Sequence, residues 1–221
     1  MQLSHRMRHL LIATLSLTLL PAAAQKKNKN GYGNFYLKPN QKVEIAKADA
    51  ALQPARRKCE NYAWAAIVET MMRAQDVKIP QDDWATKTSA GMKCFPSLND
   101  YPDRALAITD DYALDGGRKV HIEATYSVGS LPDPATFVNS LKLGRPIMVV
   151  LNGRPYMLYA ATYDETIHTT GAIGRQYLLR ELKLLDAALP QGKPERIVSF
   201  ATTPDTINQI TGVMTVSVTP R

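Results

Sequence analysis

Cys59-Glu60-Asn61-Tyr62-Ala63-Trp64-Ala65-Ala66 opens the clearest helical pattern in the chain, and its reading sets the fold. Apolar residues recur after it at three- and four-residue steps, at Ala63, Ile67, Val68, Met71 and Met72. That spacing predicts a helix over residues 60–75 with one face against a core. Glu60 in the first turn and Arg73 in the last suit the helix dipole. A cysteine just ahead of such a helix has two readings. The dipole lowers a thiol's pKa and favours the nucleophilic thiolate, and Gln53, six residues upstream, is spaced to offer a side-chain amide to an oxyanion. Alternatively, Cys59 pairs with Cys94, the only other cysteine, closing a loop of about 35 residues.

The compartment bears on that choice. Residues 1–24 read as a secretory signal peptide: Arg6, Arg8 and His9, then the apolar run Leu10 to Leu20, then Ala22-Ala23-Ala24 ahead of Gln25. About 11 apolar residues are too few to cross a bilayer, which needs about 20, and no later stretch spans one. The expectation is an exported protein, periplasmic or secreted, cleaved after about Ala24. In an oxidising compartment an even pair of cysteines favours a disulfide.

Residues 25–43, rich in Lys, Asn and Gly, read as a basic flexible linker, and 44–221 as a single domain. With 45% apolar and 21% charged residues the chain is neither disordered throughout nor a multi-span membrane protein. The formal charge of +7 falls to +5 without Arg6 and Arg8, and much of the surplus lies in Lys26, Lys27, Lys29, Lys38 and Lys42. A basic tether explains it without nucleic-acid binding.

A short helix is expected from Glu44 to Leu52, and another from Gln81 through Trp84 to near Gly91. Tyr112–Leu114, Asp115-Gly116-Gly117 and Lys119–Tyr126 read as a β-hairpin whose second strand alternates Val120, Ile122 and Ala124 against His121, Glu123 and Thr125. Pro134 starts a helix running from Asp133 to Leu143. Strand-like runs follow at Pro146–Leu151, Tyr156–Tyr163, Tyr177–Leu185, Arg196–Ala201 and Val213–Val218. Early helices and late antiparallel strands give an α+β class, with an N-terminal helical part packed on a C-terminal antiparallel sheet.

Three pieces together resemble the papain-like cysteine peptidases, in particular the bacterial C39-like and AvrRpt2-like branch. One is Ala63-Trp64-Ala65-Ala66 with its helix and then Gln81 after Ile79-Pro80. The second is Leu141-Lys142-Leu143-Gly144-Arg145-Pro146 entering an apolar strand, Ile147 to Leu151. The third is the run Tyr156 to Tyr163-Asp164 followed by Glu181 to Asp186. The resemblance covers about Gln53 to Phe200 and implies a cleft for an extended peptide.

The register it fixes puts Ala63 where the family has its nucleophile, and Arg154, Pro155 and Tyr156 where it has its histidine. Arginine stays charged and offers no acceptor, so it cannot serve as the base. Asp186 falls at the position of the orienting aspartate, but without its histidine it orients nothing. His121 and His168 read as surface and loop residues, out of order for a triad. Trp64, Trp84, Met71, Met72, Met148 and Met157 read as core. Asp110-Asp111 and Asp164-Glu165 lack calcium-ligand spacing, and no metal or cofactor is expected. Three readings follow. The favoured one is an exported, catalytically silent papain-like domain that binds peptide or protein. The second is an active cysteine peptidase with Cys59 as relocated nucleophile, and the third a structural cell-envelope protein.

Overall fold

Helix α1, Ala63–Arg73, forms where the spacing predicts it, after a 3-10 turn at Glu60–Tyr62. Every residue from Trp64 to Met72 is buried, Glu69 and Thr70 included, so α1 is a core helix with structure on all sides. Asp76 ends its last turn at φ +56°, where Asp76 N–H donates to Arg73 O (3.2 Å) and Val77 N–H to Met72 O (3.0 Å). These two bonds are a Schellman ending, and Val77 is the apolar residue it tucks against the core.

A computed structural model describes residues 42–48, 55–88, 94, 100–129, 131–167, 175–187, 195–199 and 204–221, all within the unit Leu37–Arg221. In chain order the remaining elements are β1 (Lys42–Lys47), α2 (Gln81–Thr88), α3 (Tyr101–Ile108), β2 (Asp110–Ala113), β3 (Lys119–Val128), α4 (Pro134–Lys142), β4 (Ile147–Leu151), β5 (Arg154–Ile167), β6 (Arg175–Leu185), β7 (Glu195–Ser199), α5 (Pro204–Ile207) and β8 (Ile210–Pro220). The expected leader, most of the expected linker, Gln53 and His168 lie outside the described residues.

The strands form one eight-stranded sheet in the order β2-β3-β8-β4-β5-β6-β7, with β1 paired to β5; every pairing is antiparallel. All five residues of β4 are buried, because both faces of the sheet are covered there. Met148 and Val150 face α1, while Ile147, Val149 and Leu151 face α4. Asn152 and Gly153, both at positive φ, form the two-residue turn that pairs Leu151 with Arg154.

The mixed helix–antiparallel sheet class is as expected, but the layering differs. Helices α1, α2 and α3 cover one face, and α4 covers the other through Phe137, Val138 and Leu141. Burying side chains of this size contributes about 1.5–3 kcal/mol each, so α4 builds a second core rather than decorating an edge. The helix expected from Glu44 to Leu52 is overturned by β1. Ala46 pairs with Ala161 and is 2% exposed, while Ile45 faces outward at 54%; period-2 burial beside β5 prevails over local helix preference. Helix α3 was not foreseen. The Asp100 carboxylate accepts from Asp103 N–H (3.5 Å) to cap it, and Pro102 stands in its first turn.

Candidate functional site

The segment before α1 is fixed by one buried amide. Gln81, at the start of α2, donates from Nε2 to Glu69 Oε2 (3.1 Å) and to Arg56 O (2.9 Å), and its Oε1 accepts the Lys58 N–H (2.8 Å). Glu69 also accepts from Arg73 and from the Gln81 N–H (3.3 Å). One position earlier, the Ala55 N–H donates to Thr70 Oγ1 at 2.9 Å. Residues 55–58 are thus strapped across α1, which delivers Cys59 to the helix entrance.

There Cys59 is joined to Cys94 in a disulfide, Cα–Cα 5.5 Å, and no free cysteine remains. Cys94 stands at φ +54°, and its N–H donates to the buried Tyr62 hydroxyl at 2.8 Å. In this state Cys59 carries no thiolate, so its reading as a relocated nucleophile lacks the nucleophile. Gln53, its suggested oxyanion donor, is outside the described residues.

Ala63 opens α1 with a methyl group where a nucleophile would be needed. Arg154 and Asp186 do meet: Arg154 Nη2 lies 3.5 Å from Asp186 Oδ2, with the arginine side chain 65% exposed and the carboxylate 12%. Their place relative to α1 is unlike a triad. Arg154 alternates on β5 with Tyr156 and Leu158 of the α4-side core, so the arginine that meets Asp186 faces away from α1. Tyr156 lies buried in that core. Of the positions picked from the sequence, Cys59 and Cys94 come together in the bridge, and Arg154 meets Asp186.

A cavity of about 560 Å³ does open on the helical side, between the start of α3 and the ends of β3, β4 and β8. Tyr101 and Tyr126 stack in its wall, ring centroids 5.6 Å apart and 20° from parallel. Burial pushes the Tyr101 hydroxyl up to about 12, so it stays protonated and donates to Gly153 O at 3.4 Å. Asp100, Val150 and Thr211 complete the lining that bears on binding. Arg104, on the next turn of α3, lies over the Trp64 ring at 4.4 Å and ties the cavity wall to the entrance of α1. Burial depresses that guanidinium's pKa. Gly212 makes the arrangement possible, since a Cβ there would overlap Tyr126 Oη and Cζ. Sequence reading missed this site. The only legible trace was Asp100-Tyr101-Pro102, a capped helix start.

Other singled-out residues take structural parts. Trp84 is 1% exposed and donates to Ile79 O at 3.1 Å. Met71, Met72, Met148 and Met157 are core. His121 Nδ1 is bonded to Asp111 Oδ1 at 2.7 Å, and Arg221 adds a 3.0 Å contact to the same oxygen. The acid pairs are met by cations: Asp110 by Lys87, Asp164 by Arg180, Glu165 by Arg175. Among the described residues there is no group of three or more His, Cys, Asp or Glu that could hold a metal ion, and no helix long and apolar enough to cross a membrane. No family model and no curated protein matches the sequence.

Proposed function

We propose that this chain is an exported papain-like domain, of the C39-like kind, that binds a peptide or protein segment without cleaving it. The cavity of about 560 Å³ beside Tyr101 and Tyr126 carries the reading. It falls within the roughly 300–1,000 Å³ of ligand-binding pockets. An aromatic wall, the Asp100 carboxylate and the Thr211 hydroxyl are groups that hold a side chain and fix its backbone. The absence of cleavage is supported by Ala63, by the disulfide on Cys59 and by the facing of Arg154 away from α1.

The test pans the oxidised protein against a random heptapeptide library and titrates the enriched peptides. Binding should weaken by about tenfold or more in Tyr126→Ala, with every peptide intact by mass spectrometry after long incubation. No enrichment, or enrichment indifferent to Tyr126→Ala, overturns the binding reading. Cleavage that begins on reduction and vanishes in Cys59→Ala restores the thiol-enzyme reading instead.

A further inference from the structure

Strand alternation that buries Val120 and Ile122 toward the helices turns Glu123 and Thr125 of β3 to the other face of the sheet. In the register of β3 with β8, Glu123 stands opposite Ser217 and Thr125 opposite Thr215. Helix α4 packs over β4 and β5 and leaves this part of the face open, so a trench of about 260 Å³ runs between helix and sheet. Thr136 and Ser140, one helical turn apart, form its far wall with Arg145 beyond them. Ser140 Oγ donates to Arg145 O at 3.1 Å, which fixes the corner.

We propose that this trench is a second binding site, for a small neutral polyhydroxylated ligand: one or two hexose rings. Three observations converge on that chemistry. The polar lining is made of side-chain hydroxyls with one carboxylate and one guanidinium. Hydroxyls donate and accept, a carboxylate accepts only and a guanidinium donates only, which together match vicinal sugar hydroxyls in either sense. Neither Glu123 nor Arg145 has an ion partner among the described residues, and their charges cancel, so the trench favours no net charge in its occupant. Its volume lies just under the roughly 300–1,000 Å³ of drug-sized sites, and Leu143, 66% exposed, offers an apolar edge to the C–H face of a ring. The site shares no residue with the Tyr101–Tyr126 cavity, so it stands whether or not that cavity takes a peptide.

The test is amide chemical-shift titration of the ¹⁵N-labelled oxidised protein with glucose, galactose and mannose, and with a linear tetrasaccharide of each. At least one sugar should give saturable shifts confined to β3, β8 and the end of α4, with Kd on the order of millimolar. A free ring and a chain end offer the same hydroxyls, so saturation by either supports the site, and a tighter tetrasaccharide assigns it to glycan chains. Glu123→Ala and Arg145→Ala should each weaken binding by about tenfold, while Tyr126→Ala leaves it unchanged. Thr136→Val, which removes a hydroxyl from the helix wall alone, should weaken it too. No saturable shift up to about 50 mM of any sugar, or the same shifts produced by glycylglycine, would overturn the proposal.

Discussion

Gln81 Nε2 donates to Glu69 Oε2 at 3.1 Å, so α2 and α1 are joined through a carboxylate that is only 7% exposed. The same amide holds Arg56 O and the Lys58 N–H. Its loss leaves a buried carboxylate and a backbone donor short of partners. Removing one partner from such a set costs about 1–3 kcal/mol. Gln81→Leu should lower the urea midpoint by that loss divided by an unchanged m-value. A midpoint within error of wild type would mean that residues 55–58 are held by something else.

The Cys59–Cys94 bridge closes a loop with a sequence separation of 35. On the chain-entropy account that cross-link stabilises by about 3–4 kcal/mol. The Cys59→Ser/Cys94→Ser double variant should lose most of it in denaturant melts. Thiol titration of the unreduced, denatured wild type should give zero free thiols, and two after reduction. Two free thiols in protein folded under oxidising conditions would remove the bridge and reopen the chemistry of Cys59.

Tyr126 lies flat because Gly212 has no side chain. Val128 is the register partner of Gly212, and Tyr126, two residues back on the same face, leans over it. Gly212→Ala drives a methyl into the ring, an overpacking worth about 1–3 kcal/mol. In the Gly212→Ala/Tyr126→Ala double variant the clash is gone, so its loss should be smaller than the sum of the two single losses. Strict additivity in a double-mutant cycle would show that the ring and the strand do not touch.

Glu181 gives the stability a pH signature. It stands between Thr162 of β5 and Ser199 of β7 in register, is 8% exposed, and its Oε2 has no hydrogen-bond partner among the described residues. Burial pushes its carboxyl pKa up, with Lys183 pulling weakly the other way. An acid with a raised folded-state pKa binds its proton more tightly in the native state. Its contribution is therefore most favourable below the unfolded-state pKa and is lost as pH rises to the folded one. Glu181→Gln removes that slope. The variant should gain on wild type as pH rises above the ordinary carboxyl value of 4.5. Parallel stability curves would mean that Glu181 ionises as freely folded as unfolded.

Much of the architecture was legible because its signals were periodic. The apolar run Ile147 to Leu151 marked a strand, which the fold covers on both faces, and the alternation from Val120 to Thr125 marked one with a polar face. Asn152-Gly153 is a hairpin signal that would have set the start of β5 at Arg154. The region from Glu44 misled because a six-residue strand is short enough for three-residue and two-residue spacing to fit equally well. Of the Tyr101–Tyr126 cavity only the helix start at Asp100-Tyr101-Pro102 was open to reading. The rest depends on a missing Cβ at Gly212 and on strand pairings between residues far apart in sequence, neither of which leaves a local pattern.

The facing of Arg154 leads to the sharpest test of the proposed catalytic silence. On the proposed papain-like reading, a nucleophile and a base are placed by position with Ala63→Cys and Arg154→His. If identity were all that is missing, that double variant, on a Cys59→Ser/Cys94→Ser background that leaves the new thiol alone, should cleave peptides enriched by the binding screen. The strand argues otherwise. Residue 154 shares its face of β5 with Tyr156 and Leu158 of the α4-side core, so a histidine placed there is held on the far side of the sheet from residue 63. A base must come within about 3 Å of the thiol, or one water further. The quadruple variant should therefore show no cleavage above the Cys59→Ser/Cys94→Ser parent, and its new thiol should alkylate with the pH dependence of a thiol not paired with an imidazole. Measurable turnover would require the new histidine and α1 to share one face, and would overturn the placement of residue 154 on the α4 side.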